Sequence, residues 1–421
     1  MEQQEIEQVR AELDAFVGDV FGSLKRRDQR DKGSLYLRGL MLEGRRKSMQ
    51  PMGDRLGIDY QQLQQFVSTS PWKVEPVRRK LISRAVEAIG PDAWVIDDTG
   101  FPKDGPASPG VARQYSGSLG KVGNVQIGVS VHAVTDHASC PLDWRLFLPE
   151  KWDDTYAETN EEATEVARKR QVAQIPETVR HRPKWELAIE MLDEMSTWGH
   201  TPPVVVADAG YGESGPFRTG LTDRGIGYVV QVKSSTSIHD ADALFEKPGP
   251  TGKKGRPHTK ASYQSAPVQA KRYAADLPGQ AFTEVSWRQG SEDKLTSRFA
   301  AARVRPANRN LPKNPDGSLP ECWLLIEWPA GATEPTDYWL STLPEDTPIA
   351  ELVRLGKIRW RIEHDYRELK HGLGLDHFEG RTWSGWHHHV TLVSAAHLFI
   401  TIQRLSADPK APGAARASTS Y

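Results

Sequence analysis

The amino-acid sequence predicts an α/β fold, in which a mixed sheet with flanking helices is interrupted by a β-rich insertion and preceded by an all-α region. Apolar residues at helical spacing dominate the chain before residue 89. Short apolar runs typical of strands begin at residue 94, and helical periodicity returns from residue 344. Between these parts lies a segment rich in Pro, Gly and Lys that has strand-like runs of its own.

Length and composition are those of a globular protein with several domains. The chain has 421 residues, 38% of them hydrophobic and 26% charged, which predicts two or three domains rather than disorder. Its formal net charge of −1 excludes a uniformly basic protein, so any contact with nucleic acid must come from local clusters of Lys and Arg. Cys140 and Cys322 are the only cysteines, which excludes a disulfide framework or a Cys-rich zinc site.

No segment of the sequence has the pattern of a secretory signal or a membrane span. The opening stretch MEQQEIEQVRAEL is polar and acidic, unlike a signal peptide. The longest uncharged apolar run, residues 390–402, is too short to cross a bilayer, and we expect it to form a buried helix. The sequence therefore predicts a cytoplasmic protein without a membrane partner.

Residues 1–88 are predicted to form an all-α domain. Helices are expected at the start of the chain and on both sides of Gly57. A Gly turn between two short helices is typical of a helix-turn-helix, although a plain helical bundle explains the pattern equally well. Basic residues of this segment, among them Arg45, Arg46 and Lys47, favour the helix-turn-helix and a role in DNA binding.

Residues 89–236 are predicted to begin the α/β core. The runs AWVIDD, NVQIGVSVHAV and DWRLFLP indicate three antiparallel strands between residues 94 and 148. A helix is expected over residues 184–198. The all-apolar strand VVVA, a helix near residues 214–224 and the strand GYVVQV then form a β-α-β unit.

The rest of the chain divides into three parts. Residues 237–343 are interpreted as an insertion with its own small sheet, from the runs FTEVSW, RFAAARV, CWLLIEW and DYWLST. Residues 344–405 are helical again and are expected to complete the core. Residues 406–421 have the composition of a disordered tail.

Two of the predicted core strands end in carboxylates. Asp98 ends the strand AWVIDD, and Asp208 follows the strand VVVA. Like charges at one edge of a sheet repel each other unless a divalent cation lies between them. Oxygen ligands favour Mg²⁺ or Mn²⁺ over zinc, and Mg²⁺ keeps coordination positions for water and phosphate. The two acids therefore predict a metal site suited to phosphodiester chemistry.

A third carboxylate is predicted on the helix IRWRIEHDYRELK. With about 100° per residue on a helical wheel, one side of the helix is an apolar stripe of Leu355, Ile358, Ile362, Leu369 and Leu373. Glu363 lies at the border of this stripe together with Arg359 and Lys370. We expect Glu363 to complete the metal site while the two basic residues bind phosphate.

These motifs resemble those of the DDE transposases of bacterial insertion sequences. Arg359, Glu363 and Lys370 match R-x3-E-x6-K, which is most of the Y-x2-R-x3-E-x6-K signature of one group of these enzymes. DDTG and VADAGYG are similar to the first and second aspartate motifs of the same group. The signature's Tyr is Gly356 in this chain, so its phosphate contact must be absent or supplied elsewhere, for instance by Tyr366.

The resemblance implies a ribonuclease-H-like catalytic core. Asp98, Asp208 and Glu363 would then be the catalytic metal ligands. Asp98 is preferred to Asp97 because the acid of the family directly precedes a Thr, as Asp98 precedes Thr99.

The resemblance also implies two Mg²⁺ (or Mn²⁺) ions and double-stranded DNA as the partner. One ion activates water, or later a 3′-hydroxyl, and the other stabilises the leaving oxygen. The first attack would nick DNA at the terminal inverted repeats of the element, and the second would join the end to target DNA. A homodimer on DNA is implied as well, associated with the nucleoid of a bacterial cytoplasm.

Two further patterns carry weaker predictions. Some relatives free the DNA end through a hairpin and flip a base onto an aromatic ring of the insertion. Trp287, Trp323 and Trp339 are candidates for that ring, although each of them singly is more simply a residue of a strand core. The three histidines of WHHHV cannot all face one ion, so we do not predict a transition-metal site there.

Additional phosphate contacts are predicted in two loops. Lys253, Lys254 and Arg256 lie in the Gly- and Pro-rich stretch GPTGKKGRPHTK, and Lys103 and Lys121 follow the first acid. A solvated loop is the usual explanation of such runs, but beside a nuclease-type site we favour phosphate contact. SGSLGKVGN does not match a P-loop, so no nucleotide cofactor is expected.

Two alternatives remain open on the same fold. A domesticated, non-transposing DNA-binding protein would keep the fold for recognition, but it has no need of three acids together. A simple metal-dependent nuclease would use the same acids. The N-terminal helical domain and the long insertion favour a transposase, which must recognise specific DNA ends and hold two of them.

Overall fold

The computed structural model describes residues 3–117, 119–246, 261–289, 294–307, 311 and 313–407. The chain forms two compact units, which we call the first and the second unit. The first consists of Met1–Thr201 with Trp360–Tyr421, and the second of Pro202–Arg359. The predicted loop cations Lys253, Lys254 and Arg256 lie outside the described residues, as does the tail beyond residue 407.

Helices whose apolar faces pack together open the first unit. They are α1 (Gln3–Val20), α2 (Arg27–Met41), α3 (Met49–Leu56), α4 (Gln61–Ser68) and α5 (Val74–Ile89). α2 contacts α1, α3 and α4, and α5 contacts α1. α3 ends at Gly57, whose φ of 66° is the left-handed conformation that suits glycine at a helix C-terminus. The helices expected at the start of the chain and around Gly57 are confirmed.

An antiparallel sheet built on one long strand follows. Its strands are β1 (Ala93–Pro102), β2 (Ala112–Ser116), β3 (Lys121–Val134) and β4 (Ser139–Leu146). β3 pairs with β1 along one edge and with β2 and β4 along the other. The predicted antiparallel strands are confirmed, but β1 does not stop at its acids. It pairs with β3 as far as Pro102, so Asp97 and Asp98 lie within the strand.

Two helices of the first unit follow this sheet. They are α6 (Asn160–Val172) and α7 (Lys184–Thr197). α6 begins where the Thr159 side chain accepts a hydrogen bond from the backbone N–H of Glu162 at 3.1 Å, as an N-cap does. α7 agrees with the helix predicted over residues 184–198, and its apolar face contacts β3 and β4.

The second unit begins with a β-α-β arrangement, as predicted. Its elements are β5 (Val205–Ala207), α8 (Ala209–Gly212), α9 (Gly215–Asp223) and β6 (Tyr228–Val232). β5 and β6 are parallel. α8 lies so close to β6 that a Cβ atom at Gly212 would be 1.9 Å from the carbonyl oxygen of Gln231. Only glycine permits this approach.

The segment after β6 adds strands to the same sheet. Its described elements are β7 (Ser237–Asp240), β8 (Phe245–Glu246), β9 (Ser262–Tyr263), β10 (Val268–Gln269), α10 (Ala270–Asp276), β11 (Thr283–Gln289), β12 (Lys294–Pro306), β13 (Cys322–Trp328) and β14 (Asp337–Ser341). The prediction that this insertion has its own small sheet is wrong, because β14 pairs antiparallel with β6. Within the second unit the strand order of this sheet is therefore β10-β7-β12-β13-β14-β6-β5, with β11 beside β12. β8 and β9 pair only with each other, as a separate two-stranded sheet. Parallel and antiparallel pairs occur together, which confirms a mixed sheet.

The helix predicted to carry the third acid is interrupted. α11 (Ile349–Lys357) ends the second unit's helical part, and Ile358 and Arg359 form a turn. α12 (Trp360–Arg367) then begins in the first unit and passes into a π-helical turn over Glu368–Gly372. The single continuous helix is therefore a wrong prediction. The apolar pattern did not reveal the break, because every residue of the predicted stripe is buried on either side of it.

The last described helix, α13 (Trp383–Ala407), is the central helix of the first unit. It contacts β4, α2, α4 and α5. Among the described residues it is the one helix long and apolar enough to cross a membrane, but 61% of its apolar window is buried within the protein. That burial is typical of a core helix, as predicted for residues 390–402.

Candidate active site

Asp97 and Asp98 are neighbours on β1 but have different environments. Successive side chains of a strand point to opposite faces, and accordingly Asp97 is buried whereas Asp98 is partly exposed. A carboxylate oxygen of Asp97 accepts a hydrogen bond from the backbone N–H of Asp98 at 2.8 Å. Of the two acids, Asp98 is the one that a ligand from solvent reaches more easily.

A lysine of the protein itself meets Asp98. The Nζ atom of Lys184 donates a hydrogen bond to Oδ2 of Asp98 at 2.8 Å, and the two side chains are 35% and 25% exposed. Lys184 is the first residue of α7 and follows Pro183, whose extended backbone starts the helix. The ammonium group thus balances the charge of Asp98 at an oxygen atom that could also bind a divalent cation.

Glu363 lies in the first turn of α12, and its side chain is exposed. Ile362 and Asp365 on the same helix are buried, so α12 directs Glu363 away from the core. α12 contacts β1, the strand of Asp98. Within this unit, the described residues contain no group of three His, Cys, Asp or Glu side chains that could hold a metal ion by itself.

A buried hydrogen-bond network fixes α12 to the sheet. Asp365 accepts a hydrogen bond from Oγ of Ser139 at 2.6 Å, and its other oxygen lies 2.8 Å from Nδ1 of His132. Nε2 of His132 is 3.0 Å from Oγ of Ser130, which is 2.7 Å from the hydroxyl of Tyr366. The two oxygens of Asp365 thereby attach α12 to both β3 and β4. Glu363, two residues earlier, is held in place with it.

The network settles the charge states of Asp365 and Tyr366. Burial alone would raise the pKa of Asp365, but its hydrogen bond with His132 and the nearby imidazoles lower that pKa below the ordinary value. Burial raises the pKa of Tyr366, and the negative charge of Asp97 raises it further. Tyr366 therefore keeps its proton at neutral pH and can donate a hydrogen bond.

The predicted phosphate-binding residues of the first unit fall into two groups. Arg45, Arg46 and Lys121 are exposed to solvent. In the other group, each ammonium donates to a main-chain carbonyl oxygen: Lys47 to Leu42, Lys103 to Phe378 at 2.5 Å and Lys370 to Gly100 at 2.8 Å. Burial lowers the pKa of all three lysines. The charged groups of Arg45, Arg46 and Lys121 are therefore more accessible to a polyanion than the three lysine ammonium groups.

The second unit contains Asp208 and Arg359. Asp208 follows β5 and caps α8, where its Oδ1 accepts hydrogen bonds from the N–H groups of Gly210 at 2.9 Å and Tyr211 at 3.4 Å. These bonds fix the orientation of a partly exposed carboxylate. Arg359 is partly buried in the turn that follows α11.

The candidate tryptophans of the second unit differ in their surroundings. Trp323 donates its indole N–H to the carbonyl oxygen of Pro344 at 3.0 Å, and Trp339 is buried. Nζ of Lys357 lies 5.1 Å from the ring centroids of both Trp287 and Trp339. In the second unit, a cation of the protein itself therefore occupies a position beside these two rings.

Gly356, which stands where the family signature has Tyr, is buried on α11. A Cβ atom there would lie 3.4 Å from a methyl group of Leu325 and 3.6 Å from the ring of Trp339. A tyrosine at this position would have to displace that indole ring. An alanine would fit at these ordinary contact distances, so the packing opposes a large side chain at residue 356 but does not require glycine.

The three consecutive histidines of α13 lie beside different main-chain carbonyl groups. Nδ1 of His387 is 2.9 Å from the carbonyl oxygen of Trp383, and Nδ1 of His388 is 2.7 Å from that of Val67. Nε2 of His389 lies 3.1 Å from the carbonyl oxygen of Gly374. The contact of His387 lies within α13, whereas those of His388 and His389 join α13 to α4 and to the segment around Gly374.

Stability of the fold is expected to fall as the pH falls from about 6.5 towards 3, in part because of His389. Its Nδ1 lies 2.9 Å from the hydroxyl of Tyr36, and burial lowers its pKa to about 3, against an ordinary value of about 6.5. The unfolded chain therefore binds one proton more than the folded chain in this window, and the free energy of unfolding decreases by up to about 1.4 kcal/mol per pH unit. Urea unfolding at pH 8, 6, 5 and 4 measures this slope. A His389→Gln variant with the same slope as the wild type would contradict the assignment.

Replacing Lys184 by Met is expected to tighten the binding of Mn²⁺ to the protein without DNA. The ammonium competes with a cation for Oδ2 of Asp98, and a partly exposed ion pair is worth about 1 kcal/mol or less, so the gain should be at most about fivefold. Isothermal titration with Mn²⁺ measures it. The matched control is Lys80→Met, which removes an ion pair with Asp19 at 2.7 Å on another surface. Equal affinity in wild type and Lys184→Met would show that Lys184 does not compete with metal.

Neither Lys184 nor the network of Ser130, His132 and Asp365 was predicted from the sequence. A Pro directly before Lys184 marks a helix start, but nothing in the sequence indicates that this helix begins beside β1. Ser130 and His132 occupy alternate positions of β3. Their burial against α12 could be recognised only with the fold in hand.

Comparison with known proteins identifies the family. A model of the DDE superfamily endonucleases matches residues 19–294, about two thirds of the chain. The match includes Asp98 and Asp208 and ends before Glu363. The mixed α/β architecture, with helices at both ends of the chain, agrees with the ribonuclease-H-like fold expected for such enzymes.

A curated relative points in the same direction. The chain is 30% identical over 201 residues to a protein of Microchaete diplosiphon described as "Probable transposase for insertion sequence element IS701". The aligned part is 47% of this chain and 47% of the relative, so the chain spans about half the length of the relative it matches. Since the family model matches about two thirds of its residues, the chain belongs to the DDE superfamily endonucleases.

Proposed function

We propose that the chain is the transposase of a bacterial insertion sequence, which cleaves DNA at the ends of its element and joins the 3′ ends to target DNA. One observation carries the proposal beyond family membership. Asp98, with a cation at its Oδ2 atom, and the exposed Glu363 lie on two elements of the first unit that contact each other. A non-catalytic DNA-binding protein has no use for this pair of acids.

Divalent cations are the general cofactors of DDE enzymes, and the donor atoms present here suit them. Asp98, Asp208 and Glu363 offer only carboxylate oxygens, which hard ions such as Mg²⁺ and Mn²⁺ prefer. We assign these three residues as the ligands of two such ions, with Asp208 assigned from its sequence motif. When bound, the ions would supply an activated water or 3′-hydroxyl and stabilisation of the leaving oxygen.

The remaining residues would bind and orient double-stranded DNA. Arg45, Arg46, Lys121 and Arg359 are the proposed phosphate contacts, since they carry charge outside the core, and the loop cations Lys253, Lys254 and Arg256 would add to them. The Tyr366 hydroxyl already bonds Oγ of Ser130 at 2.7 Å, so it could donate to a phosphate oxygen only after leaving that hydrogen bond. We further propose that the enzyme acts on the terminal inverted repeats as a homodimer.

The test uses the full chain and a plasmid that carries the gene with several hundred base pairs of its natural flanks. We expect cleavage at the element boundaries with Mg²⁺ and none in EDTA. A second plasmid without those flanks is the control. A domesticated binding protein would retard the first plasmid without cutting either, and a simple nuclease would cut both equally. Cutting in EDTA would contradict the role of divalent ions.

A further inference from the structure

The arrangement of α3 and α4 in the first unit is that of a helix-turn-helix. Residues 57–60 join the two helices, and the N–H of Ile58 donates to the carbonyl oxygen of Gly53 at 3.1 Å, which closes the end of α3. A Cβ atom at Gly53 would lie 2.8 Å from Cβ of Tyr60, so the helices approach closely at this turn. α2 contacts both of them and supports the pair.

α4 has one apolar and one amide-bearing side. Leu63, Phe66 and Val67 are fully or almost fully buried and anchor the helix. The remaining positions before Ser68 are all glutamines, and all are exposed: Gln61, Gln62, Gln64 and Gln65. On a helical wheel Gln61, Gln64 and Gln65 lie opposite the apolar side.

The side-chain amides of these glutamines make no hydrogen bonds that would stabilise the fold. Among the described residues, none of the four side-chain amides has a hydrogen-bond partner in the protein. No charged residue occurs from Tyr60 to Trp72, so the exposed side of α4 carries neither a carboxylate that would repel DNA nor a cation that would bind any DNA. A surface helix that serves only solubility usually carries charges.

We propose that α4 is the recognition helix of a DNA-binding surface and that Gln61, Gln64 and Gln65 read base edges in the major groove. A glutamine amide offers a donor and an acceptor side by side, which match N7 and N6 of adenine. The proposal rests on the proposed function, and it specifies how the enzyme would distinguish its own ends from other DNA. An apolar protein partner fits this surface poorly, because it would bury three amides without hydrogen bonds.

Cations for the phosphate backbone lie next to this helix. Arg46 and Gln64 line the same cavity, which has a volume of about 540 Å³. Arg45 and Arg46 are exposed in the segment before α3, and Nη2 of Arg55 donates to the carbonyl oxygen of Arg46 at 2.7 Å, which ties that segment to α3. Phosphate contacts of this kind supply affinity and position, whereas the amides supply sequence preference.

The experiment is a selection from a pool of randomised double-stranded DNA by the full-length protein without metal. Wild type should enrich a motif that contains A·T base pairs. The triple variant Gln61→Ala, Gln64→Ala and Gln65→Ala should lose the preference at those positions by about tenfold or more per base pair, with its affinity for unselected DNA unchanged. Alanine favours helices, so the variant should keep its melting temperature.

Two further variants distinguish base recognition by α4 from phosphate contacts by the neighbouring arginines. Gln171→Ala, an exposed glutamine of α6, is the matched control and should select the wild-type motif. Arg45→Ala with Arg46→Ala should weaken binding to all sequences and reduce its salt dependence while the motif stays the same. The inference is overturned if the triple variant enriches the wild-type motif to the same degree, or if wild type enriches none.

Cleavage assays keep this inference apart from the proposed function. If wild type selects a motif through α4 but never cuts plasmid DNA with Mg²⁺, the proposed enzyme is wrong and the recognition helix stands. If wild type cuts at its element's ends and the triple variant cuts there equally well, the recognition helix is wrong and the proposed enzyme stands.

Discussion

Replacing Glu363 by Gln is expected to reduce Mg²⁺-dependent DNA cleavage by about 10³-fold or more while DNA binding stays within a factor of two. The substitution removes one negative charge and keeps the size of the side chain. Loss of a ligand that holds a catalytic ion costs several kcal/mol of transition-state stabilisation, and about 4 kcal/mol corresponds to 10³-fold. Glu363 is exposed in the first turn of α12, and melting temperatures of wild type and variant show whether the fold is kept.

The measurement is single-turnover cleavage of a plasmid with the element's ends, together with binding to the same DNA in Ca²⁺. Glu87→Gln is the matched control, because Glu87 is 76% exposed on α5 and its ion pair with Arg84 is long, at 4.0 Å. The control should cut like wild type. Cleavage by Glu363→Gln within about threefold of wild type would remove Glu363 from the proposed site, whatever the behaviour of Asp98.

The same assay distinguishes a ligand from the residues that position it. Asp365→Asn should keep the size of the buried side chain but weaken its bond to His132, so α12 would be less firmly attached to β3. We expect Asp365→Asn to reduce cleavage by less than Glu363→Gln does. Added to Glu363→Gln, it should cause no further loss, because the effects of residues that act as a unit are not additive. Asp365 is buried and bonds His132 and Ser139, so the role we expect for it is to position α12.

Local patterns predicted the secondary structure well where each element depends on its own residues. The strands around Asp98 and the helix from Lys184 follow from periodicity alone, and so does the β-α-β arrangement around Asp208. The interruption after Lys357 could not be predicted, because the buried apolar stripe continues from Leu355 through Ile358 to Ile362 across the turn. Strand pairing is also not a local property. Nothing in the run DYWLST shows that its partner is β6.

The candidate site was predictable to a similar extent. Three acids could be identified by motif and order, and the structure describes two of them on contacting elements of the first unit. Lys184 could not be found, because a lone lysine at a helix start is common and its importance comes from the position of α7 beside β1. The Ser130–His132–Asp365 network could not be found either, since its members are 2 and 233 residues apart.

Replacing Asp143 by Ala is expected to lower the free energy of unfolding by about 3–5 kcal/mol, the largest loss we predict from a single substitution. Asp143 on β4 has a fully buried side chain. Arg78 donates to its Oδ1 at 2.5 Å, and Arg145 donates to its Oδ2 at 2.7 Å. Both arginines also bind Glu194. Burial alone would raise the pKa of Asp143, but the two guanidinium groups lower it below the ordinary value, so the group is an anion at neutral pH.

The expected loss comes from the cations that Asp143 leaves behind. Without its carboxylate, two largely buried guanidinium groups share the single charge of Glu194, and an uncompensated buried charge costs several kcal/mol. Urea unfolding at pH 7.5 measures the change. Asp31→Ala is the matched control, since its ion pair with Arg27 is 3.9 Å long with side chains 67% and 89% exposed, and it should cost about 0.5 kcal/mol or less.

A second substitution tests the cause rather than the size of this effect. Arg78→Met in the Asp143→Ala background leaves one cation, Arg145, beside one anion, Glu194. The double variant should therefore be more stable than the sum of the two single losses predicts, by about 1 kcal/mol or more. Strict additivity would mean that cavity formation, not unbalanced charge, causes the loss. A loss below about 1 kcal/mol in Asp143→Ala itself would mean that water reaches these arginines and that the core of the first unit is less closed around β4 than its structure indicates.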